Sequence, residues 1–358
     1  MTNGAPTTLV PSASALAEQY DVALLDLDGV VYVGPAAVPG ALEHLLAAQA
    51  SGMRLAYVTN NASRTPETVA SHLRDLGFPA PPESVVTSAQ AAARVLAGLV
   101  PSGSRVLVVG GAGLSEALLE RGLRPVSSLE DDPAAVAQGF SPDVGWALLA
   151  EGAYALERGL PWVASNTDLT IPTPRGRAPG NGTFVEVLRL ATGRTPLVAG
   201  KPETPMHAEA VARTGSSAPL VVGDRLDTDI EGANRAGVPS LLVFTGVTDP
   251  VDLVLAAPEL RPSFVSHDLA GLHHPHPPTT ATGDQSGSDA AFTCGSFTAS
   301  VVDGTLRVTT AGPADAADPA HPTDGLDGLR AACAAAWAYG VGRIEPAAVR
   351  HGLAAVLR

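Results

Sequence analysis

The feature that most constrains the fold is an apolar run between two acids near the start of the chain, Asp21-Val-Ala-Leu-Leu-Asp26. A short apolar run bounded in this way predicts a parallel strand, because a strand buried on both faces is apolar at every position. It is followed by a predicted helix over residues 39–51, a strand over 54–58 and a helix over 65–76. This alternation predicts a doubly wound α/β domain.

A second set of alternating elements interrupts this domain. Strands are predicted over residues 105–109, 135–140 and 162–165, with helices between them, which indicates a separate α/β module inserted into the first. The predicted organisation is a flexible tail over 1–19, a discontinuous core over 20–83 and 181–272, the inserted module over 84–180, a linker over 273–291 and an α+β appendix over 292–358.

The C-terminal segment has a different character. Residues 273–291 are rich in Pro, His, Thr, Gly and Ser and poor in apolar residues, as linkers are. Two alternating runs then flank Asp303-Gly304, which predicts a hairpin, and helices are predicted over 326–339 and 346–357. So small an appendix is marginally stable alone, and we expect it to pack on the core or on another chain.

One face of the first appendix helix is apolar. Leu329, Ala332, Cys333, Ala336 and Trp337 form a stripe at helical spacing, and such a stripe is usually core. It favours a role in packing or dimerisation, while a regulatory or ligand-binding domain is the alternative. A homodimer through the appendix or through the inserted module is therefore one expectation.

Composition limits the classes of partner. The chain has 358 residues and a formal net charge of -14, and it lacks a Lys/Arg cluster, so a nucleic-acid partner is not expected. No run of about 18 apolar residues predicts a membrane span, and residues 1–18 lack the regions of a signal peptide. Cys294 and Cys333 match no metal or redox spacing, so we expect ordinary thiols and a cytoplasmic protein.

Four short polar motifs each follow a predicted strand, and the first is Asp26-Leu27-Asp28-Gly29. Ligands of open α/β sheets bind outside the carboxyl ends of the strands, so Asp26 and Asp28 are expected to lie in the site. Two neighbouring carboxylates repel each other unless a cation lies between them, and oxygen ligands suit Mg²⁺. An acidic turn without function is the alternative.

The second and third motifs offer groups that bind phosphate. The segment Thr59-Asn60-Asn61 supplies a hydroxyl, amides and backbone N–H groups. The lysine of Gly200-Lys201-Pro202 supplies a point charge for a phosphoryl oxygen. The alternatives are a polar loop before a helix and a solvated surface lysine.

The fourth motif, Gly223-Asp224-Arg225-Leu226-Asp227-Thr228-Asp229, places three acids within six residues after a strand. Asp224 is nearest to the strand end and is the predicted metal ligand, while Asp229 would support Lys201 and the metal waters. An Asp-rich cap of a helix over 229–236 is the alternative. Each motif is ambiguous alone, but their shared position after strands favours one site.

Four segments resemble the four motifs of the haloacid dehalogenase superfamily of phosphohydrolases, and they stand in the same order. They are DLDGVVYVG, VTNNASR, GKP and GDRLDTDI. The resemblance covers roughly residues 20–270. The module over 84–180 lies between the second and third motifs, where the type IIA subfamily carries its large α/β cap, called C2. The resemblance implies a Rossmann-like core with an inserted C2 cap, and a phosphoric monoester hydrolase that depends on Mg²⁺.

The resemblance also implies a role for each motif residue. Asp26 would be the nucleophile that forms an aspartyl-phosphate, and Asp28 would be the general acid and base. Mg²⁺ would be held by the carboxylate of Asp26, the backbone oxygen of Asp28 and the side chain of Asp224. Asp229 would support this site. The phosphoryl oxygens would be bound by Thr59, Asn60, Asn61 and Lys201.

A large cap usually excludes big substrates, so we expect a small phosphorylated metabolite. Within the subfamily the chain looks most like actinobacterial glycerol 3-phosphate phosphatases, which also carry a C-terminal appendix. This implies glycerol 3-phosphate as the substrate, with 2-phosphoglycolate, pyridoxal phosphate and nucleotide monophosphates as rivals. Candidate cap residues are Asn166, Asp168 and Asn181. The turn Gly180-Asn181-Gly182 would either place helix N–H groups over the cleft or be a simple turn with an N-cap.

Two other classes of function are alternatives. A phosphotransferase or mutase would return the phosphoryl group from Asp26 to an acceptor, which the large cap between the second and third motifs disfavours. A non-catalytic phosphate-binding regulator would keep the fold without turnover, and the complete set of motif acids argues against it.

Overall fold

The computed structural model describes residues 9–173, 175–282, 290–310, 324–354 and 356. The chain divides into two compact units, Met1–Leu55 with Ser216–Arg358, and Ala56–Gly215. This division differs from the predicted core and cap boundaries, because the helix Thr204–Thr214, predicted as core, packs on Ser88–Leu99, predicted as cap. The predicted boundaries stay a prediction.

Four parallel strands form the sheet of the first unit. In spatial order they are Phe264–Ser266, Ser240–Val243, Pro219–Gly223 and Val22–Leu25. Every residue of Val22–Leu25 and of Ser240–Val243 is buried, as expected for central parallel strands. A short ribbon pairs Tyr32–Val33 with Ala36–Ala37. The helices are Leu16–Gln19, Ala41–Ala50, Glu231–Ala236 and Pro250–Val254.

The second unit contains a five-stranded parallel sheet. Its order is Leu197–Val198, Trp162–Ala164, Ala135–Gln138, Arg105–Val109 and Arg124–Val126. Arg54–Thr59 pairs with Val85–Thr87 in parallel, and Thr170–Thr173 pairs with Gly176–Pro179 as an antiparallel hairpin. The helices are Pro66–Asp75, Ser88–Leu99, Ala112–Glu120, Trp146–Glu157, Asn181–Thr192 and Thr204–Thr214. The parallel sheets of the two units confirm the predicted α/β class.

The appendix, which belongs to the first unit, is an antiparallel sheet followed by two helices. The strands are Thr280–Thr282, Ala291–Cys294, Phe297–Val302 and Thr305–Thr310, and the helices are Asp327–Tyr339 and Pro346–Leu353. Asp303 and Gly304 have φ angles of 49° and 72°, the left-handed values that a tight hairpin turn needs. The predicted hairpin is therefore confirmed. Residues 311–323, between the hairpin and the first of these helices, lie outside the described residues.

The apolar stripe of the appendix is buried against the core of its own unit. Leu329, Ala332 and Ala336 share a hydrophobic cluster with core residues that include Leu242 and Val265. These contacts explain how a marginal appendix can be stable, because its apolar face is removed from water within the chain. The packing interpretation of the stripe is confirmed.

Part of the predicted tail and linker also packs in the first unit. Leu9 is buried, and the N–H of Val10 donates to the backbone oxygen of Ser263 at 2.8 Å. Ser12 forms a β-bridge with His276, a residue of the predicted linker. Residues 1–8 and 283–289 lie outside the described residues. Within the part of the chain that the structure describes, no helix combines the length and apolar character needed to cross a bilayer.

Candidate active site

Three carboxylates of the first unit converge, and we call Asp26, Asp224 and Asp229 the acid cluster. One oxygen of each lies within 4.8 Å of the others. Asp26 directly follows Val22–Leu25, and its N–H donates to the backbone oxygen of Val222 at 2.9 Å. Asp224 follows the neighbouring parallel strand, so adjacent strand ends bring the acids together at one sheet edge.

Glycines make room for the acid cluster. A Cβ on Gly246 would lie 2.0 Å from Oδ2 of Asp224, and a Cβ on Gly29 would lie 2.5 Å from the same atom. Gly29 also has a φ of +89°, which favours glycine. A Cβ on Gly223 would lie 2.2 Å from Cβ of Asp229. The buried Asp224 and Asp229 therefore occupy space that any other residue at these positions would fill.

Backbone donors hold the two buried carboxylates. The N–H of Val247 donates to Oδ2 of Asp224 at 2.7 Å, and the N–H of Arg225 donates to Oδ2 of Asp229 at 3.2 Å. Three carboxylates so close together repel one another unless a cation offsets their charge. A set of oxygen donors only, in a cradle of fixed shape, fits a hard divalent cation such as Mg²⁺.

Asp28 lies two residues beyond Asp26 and is exposed. The N–H of Gly29 donates to the backbone oxygen of Tyr32 at 2.8 Å, and Thr245 Oγ1 donates to the backbone oxygen of Gly29. These bonds fix the turn that carries Asp28. An exposed carboxyl on a fixed turn can exchange protons with solvent, as a general acid and base must.

The second unit holds the residues predicted to bind phosphate. Thr59 ends the strand Arg54–Thr59 and is 7% exposed, and its Oγ1 accepts a hydrogen bond from the N–H of Asn61 at 3.1 Å. Lys201 is 5% exposed and follows the strand Leu197–Val198. Both residues therefore lie at or just after the carboxyl end of a strand, close to where the sequence predicts them.

The side chain of Asn60 hydrogen-bonds to the backbone of Lys201. Its Oδ1 accepts from the N–H of Lys201 at 2.8 Å, and its Nδ2 donates to the backbone oxygen of Lys201 at 3.1 Å. The same Nδ2 lies 3.3 Å from Oδ2 of Asp168. Direct binding of phosphate by Asn60 and Asn61 stays a prediction. The Oδ1 atom of Asn61 accepts from the N–H of Ser63 at 2.9 Å.

Two predicted cap residues continue this set of contacts, and we call Asn60, Asn166 and Asn181 the amide network. Asn166 Nδ2 donates to the backbone oxygen of Asn60 at 2.7 Å, and Asn181 Nδ2 donates to that of Asn166 at 2.7 Å. Asn166 is 4% exposed and Asn181 is 1% exposed. The buried amides are thus used to join loops of the second unit.

The turn Gly180-Asn181-Gly182 begins the helix Asn181–Thr192. The N–H of Gly182 donates to the backbone oxygen of Asp168 at 2.9 Å, and a Cβ on Gly182 would lie 2.1 Å from the backbone oxygen of Thr167. These contacts support the simpler of the two interpretations, in which the turn packs the start of the helix against the loop before it.

Sequence reasoning missed His207, which lies on the helix after Lys201. His207 is fully buried, and burial together with the charge of Lys201 lowers the pKa of its imidazole to about 3. A neutral histidine beside Lys201 leaves the lysine charge intact. The only sequence signal was its position within Thr204–Thr214. One sequence alone does not show whether a histidine on a helix is buried or exposed.

A buried glutamate on the same helix was also missed. Glu209 is 0% exposed and forms ion pairs with Arg94, Arg121 and Arg213, the closest at 2.5 Å. The three arginines come from different helices or their ends, so Glu209 joins the helices around it. Only the Glu209 and Arg213 pair, four residues apart, has a sequence signal.

Family models match most of the chain. A model of haloacid dehalogenase-like hydrolases matches residues 23–124, and a HAD-hydrolase-like model matches residues 198–272. A model of a GCN5-related N-acetyltransferase like domain matches residues 294–356. Sequence reasoning predicted a small α+β appendix in this last range and identified no family for it.

Individual relatives match over long stretches. The chain is 52% identical over 259 residues to the D-glycerol 3-phosphate phosphatase of Mycobacterium tuberculosis, covering 72% of each chain. It is 36% identical over 238 residues to an acid sugar phosphatase of Staphylococcus aureus, covering 66% of this chain and 91% of the relative. Both relatives are similar to this chain well beyond the four motifs.

Solved structures agree with this pattern. A glycerol phosphate phosphatase of Mycobacterium tuberculosis in complex with magnesium matches with a TM-score of 0.80 and 44% identity, over 90% of this chain and 92% of that one. The p-nitrophenyl phosphatase of Archaeoglobus fulgidus matches with a TM-score of 0.65 and 28% identity, over 71% and 98%. The first match extends through most of this chain, whereas the second covers a shorter part.

Proposed function

We propose, from the premise that the chain belongs to the haloacid dehalogenase-like hydrolase family, that it is a magnesium-dependent phosphomonoesterase for glycerol 3-phosphate. The observation that carries the chemical part is the acid cluster, in which oxygens of Asp26, Asp224 and Asp229 lie within 4.8 Å of one another. Repelling acids in a glycine cradle make a site for a divalent cation beside a carboxylate nucleophile.

In the proposed reaction, a carboxylate oxygen of Asp26 attacks phosphorus, and the bond from phosphorus to the ester oxygen breaks. Asp28 gives a proton to the departing oxygen, so that an alcohol leaves and the phosphoryl group stays on Asp26. Asp28, now a carboxylate, takes a proton from water as the water oxygen attacks phosphorus. The Asp26 carboxylate is restored and inorganic phosphate leaves.

The cation would be held by the carboxylates of Asp26 and Asp224 and by the backbone oxygen of Asp28. When bound, Mg²⁺ offsets the negative charge of the phosphoryl oxygens and of the acids around it. Asp229 stays outside this direct set in the proposal, and supports it through its bond with the N–H of Arg225. The three members of the acid cluster offer oxygen donors, which favours Mg²⁺ over zinc.

The remaining phosphoryl oxygens would be bound by the phosphate-binding residues of the second unit. Lys201 supplies a charge and Thr59 a hydroxyl, while Asn60 and Asn61 belong to the loop that carries Thr59. Replacement of Lys201 by Ala should therefore lower kcat/KM for every phosphate ester tested.

Glycerol 3-phosphate is proposed because the relative with 52% identity is a D-glycerol 3-phosphate phosphatase. The relative with 36% identity is an acid sugar phosphatase, so a sugar phosphate is the second candidate. Asp168 is the proposed cap residue near the leaving group. A carboxylate such as Asp168 can accept hydrogen bonds from the hydroxyls of a polyol.

A substrate panel with Mg²⁺ tests the assignment. It would contain glycerol 3-phosphate, a hexose phosphate, 2-phosphoglycolate, pyridoxal phosphate and a nucleotide monophosphate. We expect the highest kcat/KM for glycerol 3-phosphate. A clearly higher value for another member would overturn the substrate assignment while leaving the phosphatase intact. Absence of phosphate release from all of them, and from p-nitrophenyl phosphate, would overturn the proposed function.

A cytoplasmic location and a homodimer complete the proposal. Cys294 and Cys333 are both buried free thiols, which supports a reducing compartment. Since the apolar stripe of the appendix is covered within the chain, a dimer would use other surfaces of the appendix or of the cap. Light scattering of the purified protein decides between a monomer and a dimer.

A further inference from the structure

The side chain of Asn60 has two hydrogen bonds to one residue. Its Oδ1 accepts from the N–H of Lys201 at 2.8 Å and its Nδ2 donates to the backbone oxygen of Lys201 at 3.1 Å. The N–H and the C=O belong to the two peptide planes that flank the Lys201 Cα. Because peptide units are planar, fixing both of them fixes the direction in which the lysine side chain leaves the backbone.

We propose that Asn60 is a positioning residue that acts on phosphate through Lys201, with Asn166 and Asn181 holding Asn60 in turn. This inference deepens the proposed function and rests on its assignment of Lys201 to the phosphoryl group. It differs from the sequence prediction, in which Asn60 itself binds a phosphoryl oxygen.

The surroundings of Asn60 support a positioning role. Its backbone oxygen accepts two hydrogen bonds, from Nδ2 of Asn166 at 2.7 Å and from Oγ of Ser88 at 2.5 Å. Asn166 receives a bond from Nδ2 of Asn181 at 2.7 Å on its own backbone oxygen. Both ends of Asn60, backbone and side chain, are thus bonded within the second unit, and the two asparagines behind it are buried.

Gly200 makes the contact possible. A Cβ at this position would lie 2.7 Å from Oδ1 of Asn60 and 2.5 Å from the backbone oxygen of Ser165. Both distances are below 3.0 Å, which Cβ atoms essentially never show. The glycine of the Gly-Lys-Pro motif therefore allows the amide of Asn60 to approach the backbone of Lys201.

An amide at position 60 also suits these contacts better than a carboxylate would. An amide offers one acceptor and two donors without a charge, so it can hold both backbone groups of Lys201. A carboxylate at the same place would repel the backbone oxygen of Lys201 and the nearby Asp168. It would also weaken the attraction of the lysine for a phosphoryl group.

A double-mutant cycle tests the proposal, with p-nitrophenyl phosphate as substrate so that recognition of the natural leaving group does not enter. The four proteins are wild type, Asn60→Ala, Lys201→Ala and the double variant, and kcat, KM and the inhibition constant of inorganic phosphate are measured for each. We expect Asn60→Ala to lower kcat/KM by about 10²-fold, since a small displacement of a phosphate-binding group has an effect of that order.

The decisive number is the effect of Asn60→Ala when Lys201 is already absent. If Asn60 acts through Lys201, this effect should shrink by at least about tenfold, because residues of one network are not additive. Equal effects in the two backgrounds would overturn the proposal and support direct contact between Asn60 and phosphate. If the turnover of Lys201→Ala equals that of wild type, the result instead contradicts the proposed function.

Two further variants separate positioning from general loss of structure. Asn234 is a matched control, because its Nδ2 donates to the backbone oxygens of Glu259 and Arg261 at 2.8 and 3.0 Å, in the first unit. Asn234→Ala should leave kcat/KM unchanged. Asn166→Ala removes one bond behind Asn60 and should give a smaller loss that again depends on Lys201. It serves if Asn60→Ala does not fold, and an additive effect would overturn the proposal.

Discussion

The acid cluster and the amide network place functional groups by opposite means. In the acid cluster, Asp224 and Asp229 have room because Gly29, Gly223 and Gly246 carry no side chain. In the amide network, neutral side chains bond to backbone groups across loops. The acids carry like charges that repel one another, whereas the amides carry no charge. Loss of Mg²⁺ should therefore affect the acid cluster first.

The largest effect is expected from Asp26→Asn. The amide keeps the shape of the side chain but removes the nucleophilic carboxylate, so kcat should fall by at least about 10⁴-fold, or about 5 kcal/mol. Steady-state release of phosphate from glycerol 3-phosphate or p-nitrophenyl phosphate measures it. An undiminished kcat would refute covalent catalysis by Asp26.

Asp227→Asn is the control for that variant. Asp227 belongs to the acidic motif that contains Asp224 and Asp229, but its side chain is 63% exposed and pairs with Arg225 at 2.8 Å. A surface pair of this kind contributes little, so turnover should stay near the wild-type value. A loss as large as that of Asp26→Asn would mean that negative charge in general, rather than the nucleophile, had been removed.

The appendix contains a buried charge whose partners lie in the same unit. Arg330 is 2% exposed and pairs with Asp324 at 2.5 Å and Asp327 at 3.1 Å. It also donates to the backbone oxygen of Val265 at 3.2 Å, which links the appendix to a strand of the core. Its charge is offset by two acids of the same unit.

Arg330→Met should therefore lower the free energy of unfolding by about 3 to 5 kcal/mol, because it leaves two acids in a mostly buried place without their partner. Urea unfolding measures this loss with and without Mg²⁺, and it should be the same in both conditions. Arg235→Met is the control, since Arg235 is 41% exposed and pairs with Glu231 on a helix surface. An equal loss of unfolding free energy in Arg235→Met would contradict the assignment of the Arg330→Met loss to its buried acid partners.

The next effect in size is expected at Gly246, which with Gly29 and Gly223 forms the glycine cradle of the acid cluster. In Gly246→Ala the added Cβ would lie 2.0 Å from Oδ2 of Asp224, so this carboxylate must move. We expect the Mg²⁺ concentration for half-maximal activity to rise by about 10- to 100-fold, or about 1.4 to 2.7 kcal/mol. Gly98→Ala is the control, because beyond its chain neighbours and its own helix backbone the added Cβ would meet no atom within 4 Å. An unchanged Mg²⁺ dependence in Gly246→Ala would show that the cradle does not set the metal site.

The comparison also explains what could be predicted from sequence. Asp26, Asp28 and Asp224 follow apolar strands, so strand prediction and the rule for parallel sheets bring them to one edge. The doubly wound class and the hairpin at Asp303 followed in the same way from local patterns. These predictions hold because they depend on residues near one another in the chain.

The amide network could not be predicted in this form. Asn60 and Lys201 are 141 residues apart, and Asn60 and Asn166 are 106 apart, so no local pattern connects them. An asparagine in a polar loop has many possible partners, and only the tertiary structure chooses among them. The same reason applies to Gly246, whose need for a missing side chain comes from Asp224 and not from its neighbours.

The smallest expected effect is on the pH dependence of stability. It tests whether His207, in the second unit, is neutral in the folded state. Burial and the charge of Lys201 lower the pKa of His207 to about 3. A histidine in the unfolded chain titrates near about 6.5, so below that pH the unfolded state binds a proton that the folded state does not. Stability from the neutral imidazole is thus fully present above about 6.5 and lost as the pH falls towards 3.

His207→Leu removes this proton, so the variant should lose less stability than wild type between pH 6.5 and 4, by at most about 1.4 kcal/mol per pH unit. Urea unfolding at several pH values measures the difference. Burial also lowers the pKa of His276, which contributes equally to both proteins. Parallel pH profiles of wild type and His207→Leu would mean that His207 binds its proton in the folded state, so that Lys201 faces a second positive charge in mild acid.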